Sequence, residues 1–340
     1  MFKVFVLTCN ILIGSLKLTF ANEVEIRSDW REMTDTATIK IAKKILVRGL
    51  DLEEKNIIDV IKTGDRVEIR IGYDGNNITR FKGYVARSVM PTMPLMIQCE
   101  DEMWNLKRMP VQTRTFANHK LEDVIKYACP GYKYDLLNTS LGTNYVVRTG
   151  TAAGTLMDIE KTFGLKSFFR MVNGEPVLVV GKPYGSADLL TAAPVKYHFQ
   201  KNVKENSLQY MRADDVRIKV RAICKVVKGK DLKVEVGDPD GGIRTVHYMN
   251  VSEATLRKNA EADLKKFKVD GYSGDIVGFG LPKGVLHGLI AELIDEQYEL
   301  RGASDRYHID AVTDNFGTNG YEVTATIGWR ANATATNREK

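Results

Sequence analysis

The chain has 340 residues, of which 44% are hydrophobic and 27% charged, with 49 lysines and arginines against 43 aspartates and glutamates. That balance excludes a disordered or low-complexity chain. The formal net charge of +6 permits contact with nucleic acid without indicating it. The length suits two or three domains whose cores need no covalent staples.

The four cysteines, Cys9, Cys99, Cys129 and Cys224, are far apart and form no CxxC. Four reduced, buried thiols are expected, with neither a disulfide framework nor a zinc site. The first 21 residues admit two readings. Lys3 precedes an apolar stretch from Val4 to Phe20, and Thr19-Phe20-Ala21 has the small-x-small form of a leader cleavage site. Against a leader, Asn10 and Lys17 interrupt the stretch, and Gly14-Ser15 sits where a turn would join two strands. No run reaches the ~18 to 20 apolar residues of a membrane-spanning helix.

From there to about residue 107 the pattern is strand. Thr36 to Ile41 and Arg66 to Ile71 alternate. Tyr73-Asp74-Gly75-Asn76-Asn77 supplies a turn, and Thr79 to Ala86 continues as strand. Pro91 to Pro94 breaks the chain before Leu95 to Cys99. Residues 110 to 195 change character. Leu121, Val124, Ile125 and Ala128 have helical spacing and stop at Pro130-Gly131. Thr151 is a candidate cap for a second helix carrying Leu156, Ile159 and Phe163 and ending near Gly164. A hairpin around Asn173-Gly174 follows.

Residues 196 to 332 return to strand. Val216 to Ile223 alternates strictly, and Leu232 to Val236 follows. Ser252 is a candidate cap for a helix with Ala254, Leu256, Ala260, Leu264 and Phe267 on one face. A closing meander runs through Leu289–Ile294, Tyr298–Leu300, Arg306–Val312 and Gly320–Trp329, and residues 333–340 read as a loose tail. The β-rich blocks echo each other: a short ribbon, a strand, a turn and a final strand occur near residues 67–97 and again near 293–327. The expected organisation is mainly β with an α+β insertion. A β-barrel over 1–108 and a second with one helix over 196–332 flank a small α+β domain over 109–195.

Motifs for chemistry are absent. None of His119, His198, His247, His287 and His308 has metal-ligand spacing, and there is no GxSxG elbow or phosphate loop. His308 and Asp310 fall on one face of a strand, read as a solvated face. Asp238-Pro239-Asp240-Gly241 opens like a calcium loop, but Met249 stands where the closing glutamate belongs, so it reads as a turn. No catalytic, cofactor or metal residue is assigned. Arg217, Lys219 and Arg221 share one side of a strand, with Lys225, Lys228, Lys230 and Lys233 nearby. No aromatic residues are interleaved for stacking bases. The face is either solvated or an interface or channel wall, with Arg217, Lys219, Arg221 and Lys233 as its candidates.

Three stretches resemble the baseplate hub proteins of phage tails, the late control protein D family, which is related to the hub part of type VI secretion spike proteins. They are Val24 to Ile39, Gly64-Asp65 through Phe81-Lys82-Gly83-Tyr84-Val85, and Tyr307-His308-Ile309-Asp310-Ala311-Val312 through Gly320 to Gly328. The resemblance implies two tail-tube-like barrels per chain and a homotrimer presenting six of them as a pseudo-sixfold ring. It implies as partners a tail tube protein, a spike or tip protein and a tape measure protein, with DNA passing through without sequence-specific binding. The place implied is the virion tail baseplate, assembled in the bacterial host cytoplasm. Other readings are a distal tail or receptor-binding module, and a secreted β-rich enzyme acting on carbohydrate.

Overall fold

The computed structural model describes residues 5–47, 53–117, 119–141, 144–181, 183–184, 192–225, 231–249, 251–268, 270–281, 283–297 and 306–331. The expected strand at Tyr298–Leu300 and the tail at 333–340 lie outside the described residues. Strand dominates the rest.

A 14-stranded main sheet forms the centre. Its path runs Val203–Asn206, Gly271–Phe279, Gly320–Arg330, Arg306–Gly317, Glu23–Asp29, Thr36–Ile41, Leu95–Asp101, Asn76–Val85, Arg66–Tyr73, Leu7–Ile13 and Leu16–Leu18. The alternation read from the sequence is the reason these segments are strands with one buried face. Val67, Ile69 and Ile71, with Ile39 and Ile97 opposite, are wholly buried while their neighbours face out. Each such side chain contributes about 1.5–3 kcal/mol by leaving water. Residues 7–18 form the hairpin around Gly14-Ser15, and Leu7–Ile13 pairs along its length with Arg66–Tyr73. The Asp74-Gly75 turn has φ of 51° and 81°, the left-handed pair that a two-residue hairpin needs.

The two β-rich halves share topology as well as pattern. In the first, Arg66–Tyr73, Asn76–Val85 and Leu95–Asp101 form an antiparallel meander whose last strand pairs with the upstream Thr36–Ile41. In the second, Ile290–Ile294, Arg306–Gly317 and Gly320–Arg330 do the same, and the last strand pairs with the upstream Gly271–Phe279. The halves are not separate sheets: Arg306–Gly317 pairs with Glu23–Asp29 over seven residues and makes them continuous. The strands come so close there that a Cβ on Gly317 would lie 2.3 Å from the Asn22 carbonyl oxygen. Closure of either half into a barrel is not seen among the described residues.

The inserted unit has its own core. Helices Leu121–Ala128 and Ala152–Phe163 pack beside the strands Lys133–Leu136, Glu175–Gly181 and Lys166–Val172. The Thr151 hydroxyl accepts from the Gly154 N–H at 3.1 Å, and Gly164 ends the helix at φ 69°.

One expectation needs correcting. The basic strand and its helix were assigned to the second barrel. They form a unit apart, in which Leu232–Gly237, Ile218–Lys225 and Gly242–Met249 make a three-stranded sheet sharing no strand with the main one. Helix Glu253–Phe267, capped by Ser252, covers one face. Val220, Ala222, Cys224, Val234, Leu256 and Ala260 form a separate buried cluster. Strict alternation specifies one buried face, and a helix supplies its cover as well as a second sheet would.

Candidate functional site

A buried ion pair joins the two halves of the main sheet. Along Arg306–Gly317 the inward phase reads Val312, Asp314, Phe316, so a carboxylate stands where an apolar residue belongs. Its partner comes from a bulge. Between Ile69↔Phe81 and Arg70↔Thr79 the register slips, leaving Arg80 as the extra residue. The slip lets Arg80 and Phe81 both turn inward. Arg80 Nη2 donates to Asp314 Oδ2 at 2.7 Å and to the Val285 carbonyl at 2.5 Å, and the Tyr321 hydroxyl donates to Asp314 Oδ1 at 2.7 Å. Burial opposes the charge on Arg80, but Asp314, Tyr321 and Asp35 together more than offset it and the guanidinium's pKa rises. Burial, then Asp314, holds the Tyr321 phenol well above its ordinary range. The group is a lock between Asn76–Val85, Arg306–Gly317 and the chain around residue 285.

A second polar group gathers three strand ends where the chain enters the inserted unit. Asp35 accepts from the Ser28 hydroxyl at 2.5 Å and the Asp29 N–H at 3.3 Å. Asp101 accepts from the Asp35 N–H at 3.2 Å and the Met103 N–H at 3.0 Å. Burial pushes the Asp35 carboxyl up to about 7 and raises Asp101 well above the carboxylate range. Between the inserted unit and the main sheet, Arg170 is 3% exposed, with its guanidinium 5.3 Å from the Phe168 ring centre. Burial pulls it down to about 10. His287 stands edge-on to the same ring at 5.1 Å, and burial, then Arg170 and Arg80, holds it well below the usual histidine range.

His308 and Asp310 overturn the solvated-face reading. They are 8% and 9% exposed, on a stretch of strand whose register is irregular on both sides of Ile309. Their faces are covered by segments distant in sequence. The Trp30 indole N–H donates to Asp310 at 3.0 Å, the Tyr184 hydroxyl also bonds Asp310, and the Tyr184 ring stacks on His308 at 4.1 Å. Burial raises Asp310 to about 6.

The basic candidates lie on the small sheet. Val220, Ala222 and Cys224 point to the helix, so Lys219, Arg221 and Ile223 occupy the opposite face. Lys233 joins them through its pairing with Ile223. Arg221 Nε is 2.6 Å from Glu235, and Arg217, just before the strand, is 3.7 Å from Asp240. Lys228 and Lys230 lie outside the described residues. Asp238–Gly241 is a turn, with Gly241 N–H donating to the Asp238 carbonyl.

Sequence reasoning missed Arg80, Asp314, Asp35, Asp101, Arg170 and His287 as a connected set. One signal was present: Asp314 breaks the apolar phase between Val312 and Phe316, as Arg80 breaks the phase ending at Phe81.

No protein-family model matches the chain, and no curated protein sequence matches it. Solved structures do. The tail protein of Neisseria meningitidis MC58 superposes with a TM-score of 0.64 at 17% identity, covering 96% of this chain and 97% of that one. The 43 kDa tail protein of prophage MuSo2 from Shewanella oneidensis gives 0.60 at 17% identity, with the same coverages. The E. coli c3393 protein is described as a type VI secretion component similar in structure to the T4 tail proteins gp27 and gp5. It gives 0.57 at 8% identity, covering 95% of this chain and 77% of that one.

The chain has the fold of a phage tail protein. The resemblance to baseplate hub proteins and to type VI secretion spike proteins therefore holds at the level of fold, from one end of the chain to the other.

Proposed function

We propose that this protein is a structural hub of a phage or prophage-derived tail, without chemistry of its own. Three copies form a ring in which each contributes two related β-rich halves, giving six similar elements in pseudo-sixfold order. The ring adapts a hexameric tail tube to a trimeric spike or tip, contacts a tape measure protein and leaves a channel for DNA. In this reading residues 1–108 and 196–332 are the two tube-like units, 109–195 is an insertion in the chain between them, and 218–267 is a second insertion within the latter.

The observation that carries the reading is the repeated meander. Two halves with the same strand order, each closed by an upstream strand, are what a three-chain ring needs to meet a sixfold tube. The end-to-end likeness to tail proteins supports it. The polar locks fit a geometric role: the carboxylates and Arg80 fix strand positions, and none is aimed into an open cleft. Imaging of purified tails tests it directly. The expected result is three copies at the spike end of the tube. Six copies, or a position on the outer rim, would replace the hub reading with a distal tail or receptor-binding one.

A further inference from the structure

The small sheet is covered on one side only. Helix Glu253–Phe267 packs on Val220, Ala222, Cys224 and Val234. The other side carries Lys219, Arg221, Ile223, Lys233, Glu235, Ile243, Thr245 and His247, by alternation and register. Its far end meets the inserted unit, where a Cβ on Gly164 would lie 2.4 Å from the His247 ring. The rest is open: Ile243 is 51% exposed, and Lys233 and Thr245 are exposed.

Two properties specify what fits this face. The first is charge. Arg221 is answered by Glu235, but Lys219 and Lys233 have no carboxylate within ion-pair reach among the described residues. The second is the apolar ground beside them, the row between them being held by the Arg221–Glu235 pair. Ile243 pairs with Lys219 and Ile223 with Lys233, so each free ammonium stands beside an isoleucine. Lys219 lies four residues from Ile223, the partner of Lys233, which is about 13 Å along the strand. An extended segment with glutamates four residues apart matches that spacing, each carboxylate on a lysine and its methylene stem on the isoleucine beside it. Nucleic acid matches poorly. The one ring on this face, His247, is packed against Gly164, and isoleucines interrupt any phosphate track.

We infer that the open face of the small sheet docks an acidic protein segment, with glutamate carboxylates on Lys219 and Lys233 and the methylene stems of those glutamates over Ile243 and Ile223. The inference does not depend on the ring, and the two fail separately, because the hub is tested in the particle and this face on the isolated chain. The probe is a fluorescent peptide with glutamates four residues apart, built on Glu-Ser-Ala-Ser-Glu, followed by anisotropy with the full-length protein. Competing probes are a short DNA duplex and phosphatidylglycerol vesicles.

The peptide is expected to bind more weakly as salt rises. Lys219→Glu with Lys233→Glu is expected to weaken it about tenfold or more. Ile243→Asp should weaken it as well, whereas reversal of the exposed Lys17, on a main-sheet strand, and Lys62, in the loop before Arg66–Tyr73, should leave it within about twofold. All of these positions are solvent-accessible, and unchanged melting temperatures confirm folding. Failure of the peptide to bind overturns the inference. So does equal binding by the Lys219/Lys233 and Lys17/Lys62 variants, or tighter binding of DNA or vesicles through the same two lysines.

Discussion

The main sheet and the small sheet solve the same problem at different scales. Both bury one phase of alternating strands. The main sheet draws its core from segments as distant as Cys9 and Ile327 and threads charged groups through it. The small sheet buries four side chains against two from one helix and has no carboxylate in that cluster. The difference teaches where stability is shared and where it is local. Arg80 and Asp314 are 234 residues apart, so their ion pair forms only when both halves are in place. Every buried contact in the small sheet's cluster forms within residues 220–260.

The strongest way to break this contrast is Asp314→Ala. It strands a buried guanidinium and removes the acceptor for Tyr321, and the expected cost is about 3–5 kcal/mol, read as a drop in the urea midpoint. Because the pair joins both halves, hydrogen exchange should rise across Asn76–Val85 and Arg306–Gly317 together. Replacing both partners, Arg80→Met with Asp314→Leu, should restore most of the loss, since no buried charge is left unpaired. If the double variant is as unstable as the single one, the pair's geometry and not its charge is what holds the halves.

The next effect is pH-dependent and belongs to the main sheet alone. Burial holds the folded Asp35 carboxyl near 7, above its unfolded value near 3.8. As pH rises, the unfolded chain releases this proton first. The stability of the neutral acid is therefore complete below about pH 4 and is lost as pH climbs through 7. Unfolding free energy should fall by about 2 kcal/mol between pH 5 and 7. Asp35→Asn keeps an acceptor for Ser28 and should flatten that slope. A slope unchanged in the variant would assign the titration to Asp101 or Asp310.

Much of this architecture is legible in the chain. The phases Val24/Ile26, Ala37/Ile39/Ile41 and Val67/Ile69/Ile71 mark buried faces, and Thr151, Ser252 and Asn173-Gly174 mark ends and turns. Alternation says which side of a strand is buried but not which strand lies beside it. Nothing in the pattern therefore shows that Arg306–Gly317 pairs with Glu23–Asp29, or that Ile218–Lys225 lies in a small sheet of its own. The bulge at Arg80 is a one-residue slip with no composition of its own. His308 and Asp310 looked solvated because polarity was read without the rings of Trp30 and Tyr184 that cover them. The basic residues were found as a group, since the period that hides partners still sorts faces.

The smallest effect sharpens the contrast from the other side. Ser252 accepts from the Thr255 N–H at 3.2 Å and starts the helix that covers the small sheet. Ser252→Ala leaves that donor without its cap and should cost about 1 kcal/mol. In a unit whose core is local, the loss need not reach the main sheet. Exchange should quicken for amides in Ile218–Lys225 and Glu253–Phe267 and stay unchanged in Arg66–Tyr73. Among the described residues, the one ring contact from this helix to the main sheet's last strand, Phe267 against Trp329 at 4.8 Å, is the route by which loosening would spread. Faster exchange in Gly320–Arg330 as well would mean that this contact couples the two sheets, and that the small unit opens only together with the end of the main one.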